Sequence, residues 1–159
     1  MGVVYRGSAL PEERLEEVYR AEAERLWWAL VAFTGDRELS RDAVAEAFAQ
    51  ALGRGAAIRS PVAWIRTAAF RLAAGELKRR SSESPDVPDA AYDMPEPALD
   101  VVRELAKLPR NQRASVVLHY YLDLPVSEVA RILGMAPPTV AVHLFRARAR
   151  LRSVLQEDR

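Results

Sequence analysis

The amino-acid sequence predicts an all-α protein built as two small helical domains joined by a flexible linker. Three observations carry that expectation. Apolar residues recur at spacings of three and four along most of the chain and nowhere alternate with the period of a strand. Residues 81–98 combine Pro85, Pro88, Pro95 and Pro97 with serines and acids and show neither period. The last third holds a short helix, a glycine turn and a longer helix in the order of a helix-turn-helix. The expected units are therefore a helical domain over 1–80, the linker over 81–98, and a second domain over 99–159. Tyr92 and Met94 are the linker's two docking candidates, though a solvated tether is the preferred reading.

Three helices are expected in the first domain. The first, about Pro11 to Thr34, opens with Glu12 and Glu13, which suit the positive end of a helix dipole. It carries Leu15, Val18, Tyr19, Ala23, Leu26, Trp27, Leu30 and Val31 in helical spacing. The second, about Ser40 to Leu52, takes Ser40 as its N-cap. The third, about Pro61 to Arg80, takes Ser60 as cap and Pro61 at the first position. It is expected to bury Trp64, Ile65, Ala68, Ala69 and Leu72.

The second domain opens with a helix near Pro109 whose apolar residues Ala114, Val117, Leu118 and Tyr121 stand at offsets 0, 3, 4 and 7. A break at Asp123 to Pro125 leads to Ser127 as N-cap of a brief helix through Val129, Ala130, Ile132 and Leu133. Gly134 ends that helix, because glycine accepts the left-handed conformation required just past a helix end. Pro137 at the cap and Pro138 at the first position start the last helix. Val140, Leu144, Ala147 and Leu151 share its buried sector. His143, Arg146 and Arg150 lie on one flank, Arg148 and Arg152 on the other, and no acid intervenes before Glu157. A row of cations without counter-charge repels itself unless a polyanion is present, so this helix reads as one that meets DNA.

The net charge of +1 says nothing about a polyanionic partner, but its distribution does. Lys and Arg concentrate in 54–80 and 146–152, whereas 81–100 holds six acids and no base. A hydrophobic fraction of 50% suffices for real cores. The absence of cysteine excludes disulfides and thiolate metal sites. No run approaches the ~20 apolar residues of a membrane span and the start lacks a signal-peptide pattern, so a soluble, cytoplasmic protein without membrane insertion is expected. An enzyme is disfavoured. His119 and His143 are the only histidines, neither has a partner spaced for a metal or a nucleophile, and no phosphate-cradling or dinucleotide loop occurs. No cofactor and no metal are expected.

Two blocks carry a resemblance that spans nearly the whole chain. Asp42-Ala-Val-Ala-Glu-Ala-Phe48, Arg59-Ser-Pro-Val-Ala-Trp-Ile65 and Glu76-Leu-Lys-Arg-Arg80 form the first. Leu108-Pro-Arg-Asn-Gln-Arg113, Tyr120-Tyr121, Val129-Ala130, Leu133-Gly134, Thr139-Val140 and Arg146-Ala-Arg-Ala-Arg-Leu-Arg152 form the second. In this order and at this separation they resemble regions 2 and 4 of the group IV, or extracytoplasmic function (ECF), sigma factors of bacterial RNA polymerase. The resemblance implies core polymerase and promoter DNA as partners and an anti-sigma factor as a common means of control. It assigns polymerase binding to the helix carrying Asp42, Glu46 and Gln50, which stand four apart as one polar ridge; an ordinary exposed face explains Gln50 equally. Phe48 and Trp64 are expected in the core. Capture of a melted −10 strand falls to the loop and helix carrying Arg54, Arg59, Arg66, Phe70, Arg71, Lys78, Arg79 and Arg80. Reading of the −35 element falls to Pro138, Thr139, His143 and Arg146, with Arg148 and Arg150 on phosphates or in pairs within the domain.

The chain departs from the family pattern at four places. Ala141 stands where the family often has Lys, Ala136-Pro137-Pro138 replaces a Ser-x-Gly opening, Arg71 replaces Asn and Gly75 replaces Asp. These changes imply an altered promoter preference. Two other readings keep a place beside the sigma factor. One is a stand-alone helix-turn-helix regulator, which explains only half the chain. The other is a degenerate sigma-like protein that binds polymerase without opening promoters. Phe145 lies away from the apolar stripe of its own helix and is unexplained by it; the other domain, the polymerase and a regulator are its candidate contacts.

Overall fold

A computed structural model describes residues 12–80 and 96–157, and every described element is helical. The chain start and residues 81–95, with Tyr92 and Met94, lie outside the described residues. Helix α1 (Glu12–Thr34) buries Leu15, Ala23, Leu26, Leu30 and Phe33 along one stripe. It stops at Gly35, whose φ of 70° is the left-handed value glycine tolerates. Helix α2 (Arg37–Arg54) follows at once. Its N-cap is Asp36, whose carboxylate accepts from the Leu39 amide at 2.9 Å. The expected cap Ser40 is instead a fully buried residue inside α2, with its hydroxyl donating to the Asp36 carbonyl at 2.7 Å. An aspartate directly after the glycine stop offers the free amides an acceptor four residues before Ser40 can.

A 3-10 turn (Gly55–Ala57) and buried Ile58 lead into α3 (Pro61–Arg80). Alanines at 43, 47, 51, 69 and 73 are buried, and such small side chains let α2 and α3 approach closely. Phe48 is buried and meets Tyr19 edge-on at 5.0 Å, while Trp64 packs half-buried against the core, in keeping with the expectation for both.

Helix α4 (Glu96–Ala106) was not anticipated, and it starts inside the stretch expected as linker. It buries Val102 and Leu105 and packs on α1. Helix α5 (Arg110–Val116) widens into a π-helical turn (Val117–Tyr121). That widening changes the buried register. Ala114, Val117 and Leu118 are buried as expected, but the extra residue in the turn sends Leu122 inward and leaves Tyr121 exposed. Asp123, at a φ of 56°, reverses the chain.

Helix α6 (Val126–Leu133) is entered through Pro125, whose carbonyl accepts from the amides of Glu128 and Val129. The helix thus begins one residue before the expected cap Ser127, which lies exposed within it. Gly134 closes α6 in the left-handed conformation at a φ of 66°, as its sequence position foretold. Helix α7 (Pro137–Glu157) buries Val140, Leu144 and Ala147 against α5 and α6. The two helical groups share one core, since α1 touches α4 and α5 and α3 touches α6.

Candidate nucleic-acid interface

The last helix meets its expectation most directly. With Val140, Leu144 and Ala147 inward, the 100° step of a helix turns Pro138, Val142, Phe145 and Ala149 outward, and all four are exposed. Phe145, at 69% exposure, is the most exposed large apolar residue described. Thr139, Arg146 and Arg150 line one side of this ridge in solvent, and His143 sits half-buried below them with its Nδ1 buried and unpartnered. On the other side Arg148 donates to the Tyr120 hydroxyl at 2.9 Å, the pairing within the domain that was one of its two expected roles. Arg146 and Arg150 form no ion pair with any described residue. The result is an apolar ridge between two cationic flanks.

Asp42 and Glu46 stand exposed on α2, and Gln50, half-buried one turn on, donates its amide to Glu46 at 3.1 Å. The polar ridge expected from their spacing therefore exists as one surface.

The loop and helix expected to bind single-stranded DNA are divided by the structure. Arg54 and Arg59 are exposed beside a cleft of about 520 Å³, where the Arg54 guanidinium lies 5.4 Å from the Trp64 ring centre. Glu128 and Arg131 of α6 close the cleft's far wall. Lys78 is exposed. Arg66 is not on that surface. It bonds Glu22 of α1 at 2.8 Å and keeps only 15% of its side chain in solvent. Arg79 and Arg80 both bond Glu76, at 2.6 and 3.0 Å, and Arg80 also reaches Asp36 at 2.7 Å. The Arg79 hydrogen bond, supported by Arg80, holds the Glu76 carboxyl down to about 2.

Phe70 departs furthest from its expected exposure. It is 1% exposed and stacks on Phe33 with ring centres 5.5 Å apart. A cleft beside it has one wall of Phe33, Phe70, Arg71 and Ala74 and another from the second domain, Arg110, Asn111, Ala114 and residues 132–134. Arg71 spans it, donating to the carbonyls of Arg131 and Ile132 at 3.2 and 3.4 Å.

Arg25, Arg110, Arg113 and Arg131 also cross between the domains and carried no signal of it in the sequence. Arg25 donates to the Tyr121 carbonyl at 2.6 Å and to Asp123 at 2.9 Å. Arg110 reaches the Leu77 carbonyl at 3.4 Å, and Arg131 reaches the Thr67 hydroxyl at 3.3 Å. Arg113 lies 5.7 Å from the Phe33 ring centre, and loss of water there lowers its guanidinium pKa. Partners tens of residues apart leave no local pattern.

Residues 98–151 match the family described as Sigma-70, region 4. The chain is 29% identical to the ECF RNA polymerase sigma factor SigL of Mycobacterium tuberculosis, in a match covering 95% of this chain and 94% of SigL. It is 36% identical to the ECF RNA polymerase sigma factor ShbA of Streptomyces griseus over 60% of this chain and about half, 53%, of ShbA. Two solved structures share the fold. CnrH, bound to the cytosolic domain of CnrY, gives a TM-score of 0.72 at 20% identity, covering 94% of this chain and 92% of CnrH. The sigma factor RpoE of Bartonella quintana, bound to the anti-sigma factor NepR, also gives 0.72, at 21% identity over 93% of this chain and 98% of RpoE. A region 4 match over the helix-turn-helix, a near full-length relative at 29% identity and a shared two-part helical fold lead to one conclusion: along nearly its whole length the chain is similar to the ECF sigma factors of bacterial RNA polymerase.

Proposed function

We propose that this chain is a promoter-specificity subunit without catalysis of its own, acting in the cytoplasm with core RNA polymerase to start transcription. The observation that carries the reading is α7. An apolar ridge flanked by arginines, of which Arg146 and Arg150 form no ion pair with any described residue, on the second helix of a helix-turn-helix, fits a major groove: the arginines meet phosphates or guanines and the ridge meets thymine methyl groups. Val142 and Phe145 thereby join Pro138, Thr139, His143, Arg146 and Arg150 as −35 contacts, and Phe145 acquires a role. Arg148, tied to Tyr120, stiffens the helix against α5 and touches phosphate at most. Asp42, Glu46 and Gln50 offer polymerase a polar ridge. Arg54, Arg59, Arg71 and Lys78 form the −10 surface, Phe70 supports it from the core against Phe33, and Arg66, Arg79 and Arg80 hold α3 in place through their acids. The units taking these roles are 1–80 and 99–159, with α4 added at the start of the second. The anti-sigma factor bound to RpoE supports a regulator of the same kind for this chain.

The test is reconstituted transcription with bacterial core polymerase on genomic DNA fragments, with transcript starts mapped with and without the protein. New starts that share paired upstream elements are the expected result. Polymerase binding without new starts points to the degenerate reading, and duplex binding without polymerase to a stand-alone regulator.

A further inference from the structure

Arg71 differs from the other arginines of α3 in the partners it keeps. Arg66 bonds Glu22, and Arg79 and Arg80 share Glu76. Arg71 forms no ion pair with any described residue, and its bonds go to neutral acceptors. Its Nε donates to the Ile132 carbonyl at 3.4 Å and its Nη2 to the Arg131 carbonyl at 3.2 Å. Two donors on one rigid edge, facing two oxygens of consecutive residues, are the pattern that guanine matches with its O6 and N7. Both bonds lie at or beyond the long end of the N–H···O range, so they oppose little to a better-placed pair of acceptors. The side chain is exposed and can turn to a base.

One turn further along α3, Gly75 keeps that edge free of acid. It is exposed, and a side chain there would meet nothing within 4 Å, so no packing inside the chain calls for glycine. A glycine inside a helix nonetheless costs stability relative to alanine. An acid at this position would stand four residues from Arg71, where side chains on a helix meet, and would pair with its guanidinium. The neighbouring Glu76 is already held by Arg79 and Arg80, and Glu128 by Arg131. Phe70 is buried against Phe33, which leaves Arg71 as the side chain of this turn that can tell one base from another.

We propose that Arg71 is a specificity-determining residue that reads one guanine of the −10 strand through O6 and N7, and that Gly75 is a positioning residue that keeps the Arg71 fork clear of a carboxylate. The inference rests on the −10 role of α3 proposed above and adds the base to it. The departures at 71 and 75 then have one joint meaning. An asparagine at 71 would match adenine at N6 and N7 instead, and an acid at 75 would compete with the base for the arginine.

The test uses the full chain assembled with bacterial core polymerase. A pool of random 20-nucleotide DNA single strands is bound, and the captured strands are sequenced against those captured by core polymerase alone. The expected result is a motif in which one position prefers guanine by about 5- to 150-fold. Arg71→Ala removes that preference and Arg71→Asn moves it to adenine, while the other positions of the motif stay as they are. A strand with 7-deazaguanine at that position, which lacks N7, binds the wild type less tightly and Arg71→Ala no less tightly than its guanine counterpart. Gly75→Asp lowers the guanine preference, whereas a carboxylate that only repelled the strand would weaken every sequence alike. Circular dichroism reports the folding of each variant. A motif unchanged by Arg71→Ala, or an equal loss on every strand, overturns the guanine contact. An equal loss on every strand for Gly75→Asp overturns the part given to Gly75. No motif beyond that of core polymerase alone, in any form of the chain, places the failure in the −10 assignment, and the guanine contact falls with it.

Discussion

In the −35 contact proposed for α7, Arg146 and Phe145 divide recognition between charge and shape. Arg146 is exposed and unpaired with any described residue, so its contribution to DNA binding is unencumbered by a protein partner. Arg146→Ala is expected to weaken promoter binding and, if the contact is to phosphate, to reduce the slope of log affinity against log salt by about 0.9, measured by anisotropy titrations at several salt concentrations. Phe145→Ala should act differently. It removes no charge, so the salt slope should stay constant while discrimination against thymine substitutions in the −35 element falls, which a panel of substituted duplexes measures. A common loss on every sequence would refute that role. Arg71 shows how context decides a residue's state. Its sequence position suggested a hand free for DNA, and in the protein alone that hand rests on the carbonyls ending α6.

At the scale of elements, the starts and stops of helices carry the specificity. Asp36 both caps α2 and pairs with Arg80 at the end of α3. Asp36→Ala is expected to cost about 1 kcal/mol through the lost cap, or roughly 2–4 °C in melting temperature for a cooperative unit of this size. Asp36→Asn should restore most of it, because the amide oxygen still caps. Glu76 adds a pH dependence. Its folded pKa of about 2 lies below the ordinary carboxylate value of 4.5, so its contribution is present above pH 4.5 and is lost as pH falls toward 2. Thermal unfolding of Glu76→Gln and wild type should therefore differ at neutral pH and converge under acid. The misplaced cap at Ser40 has the same lesson as Asp36: several residues near a helix start can cap it, and the chain reversal at Gly35 selects among them.

Across the whole molecule, the polar ridge on α2 proposed for polymerase and the apolar ridge on α7 proposed for the −35 element belong to different domains, so their functions should separate. Reversing charge at Arg146 and Arg150 is expected to weaken promoter binding by orders of magnitude while leaving core polymerase affinity within about twofold, since neither residue lies near Asp42 or Glu46 in sequence or element. Pull-down with core enzyme and anisotropy on promoter DNA measure the two; the opposite order would refute the division. The shared core also bears on cooperativity. Phe33 and Phe70 stack beside the cleft that residues of both domains line, so the two domains share apolar burial there and should unfold together.

Much of the protein was decided by local information. Apolar spacing placed six helices, Gly134 ended α6 through its tolerance of the left-handed backbone, and the acid-free run from Pro137 to Gln156 left the flanks of α7 cationic. Those features depend on residues within a few positions of one another, which is the range over which a one-dimensional pattern has meaning. Tertiary structure alone decided the π turn that exposes Tyr121, the burial of Phe70, the commitment of Arg66, Arg79 and Arg80 to acids, and the arginine bonds between domains. Each of these depends on which partner arrives from elsewhere in the chain or on a change of helical phase, and periodicity is blind to both.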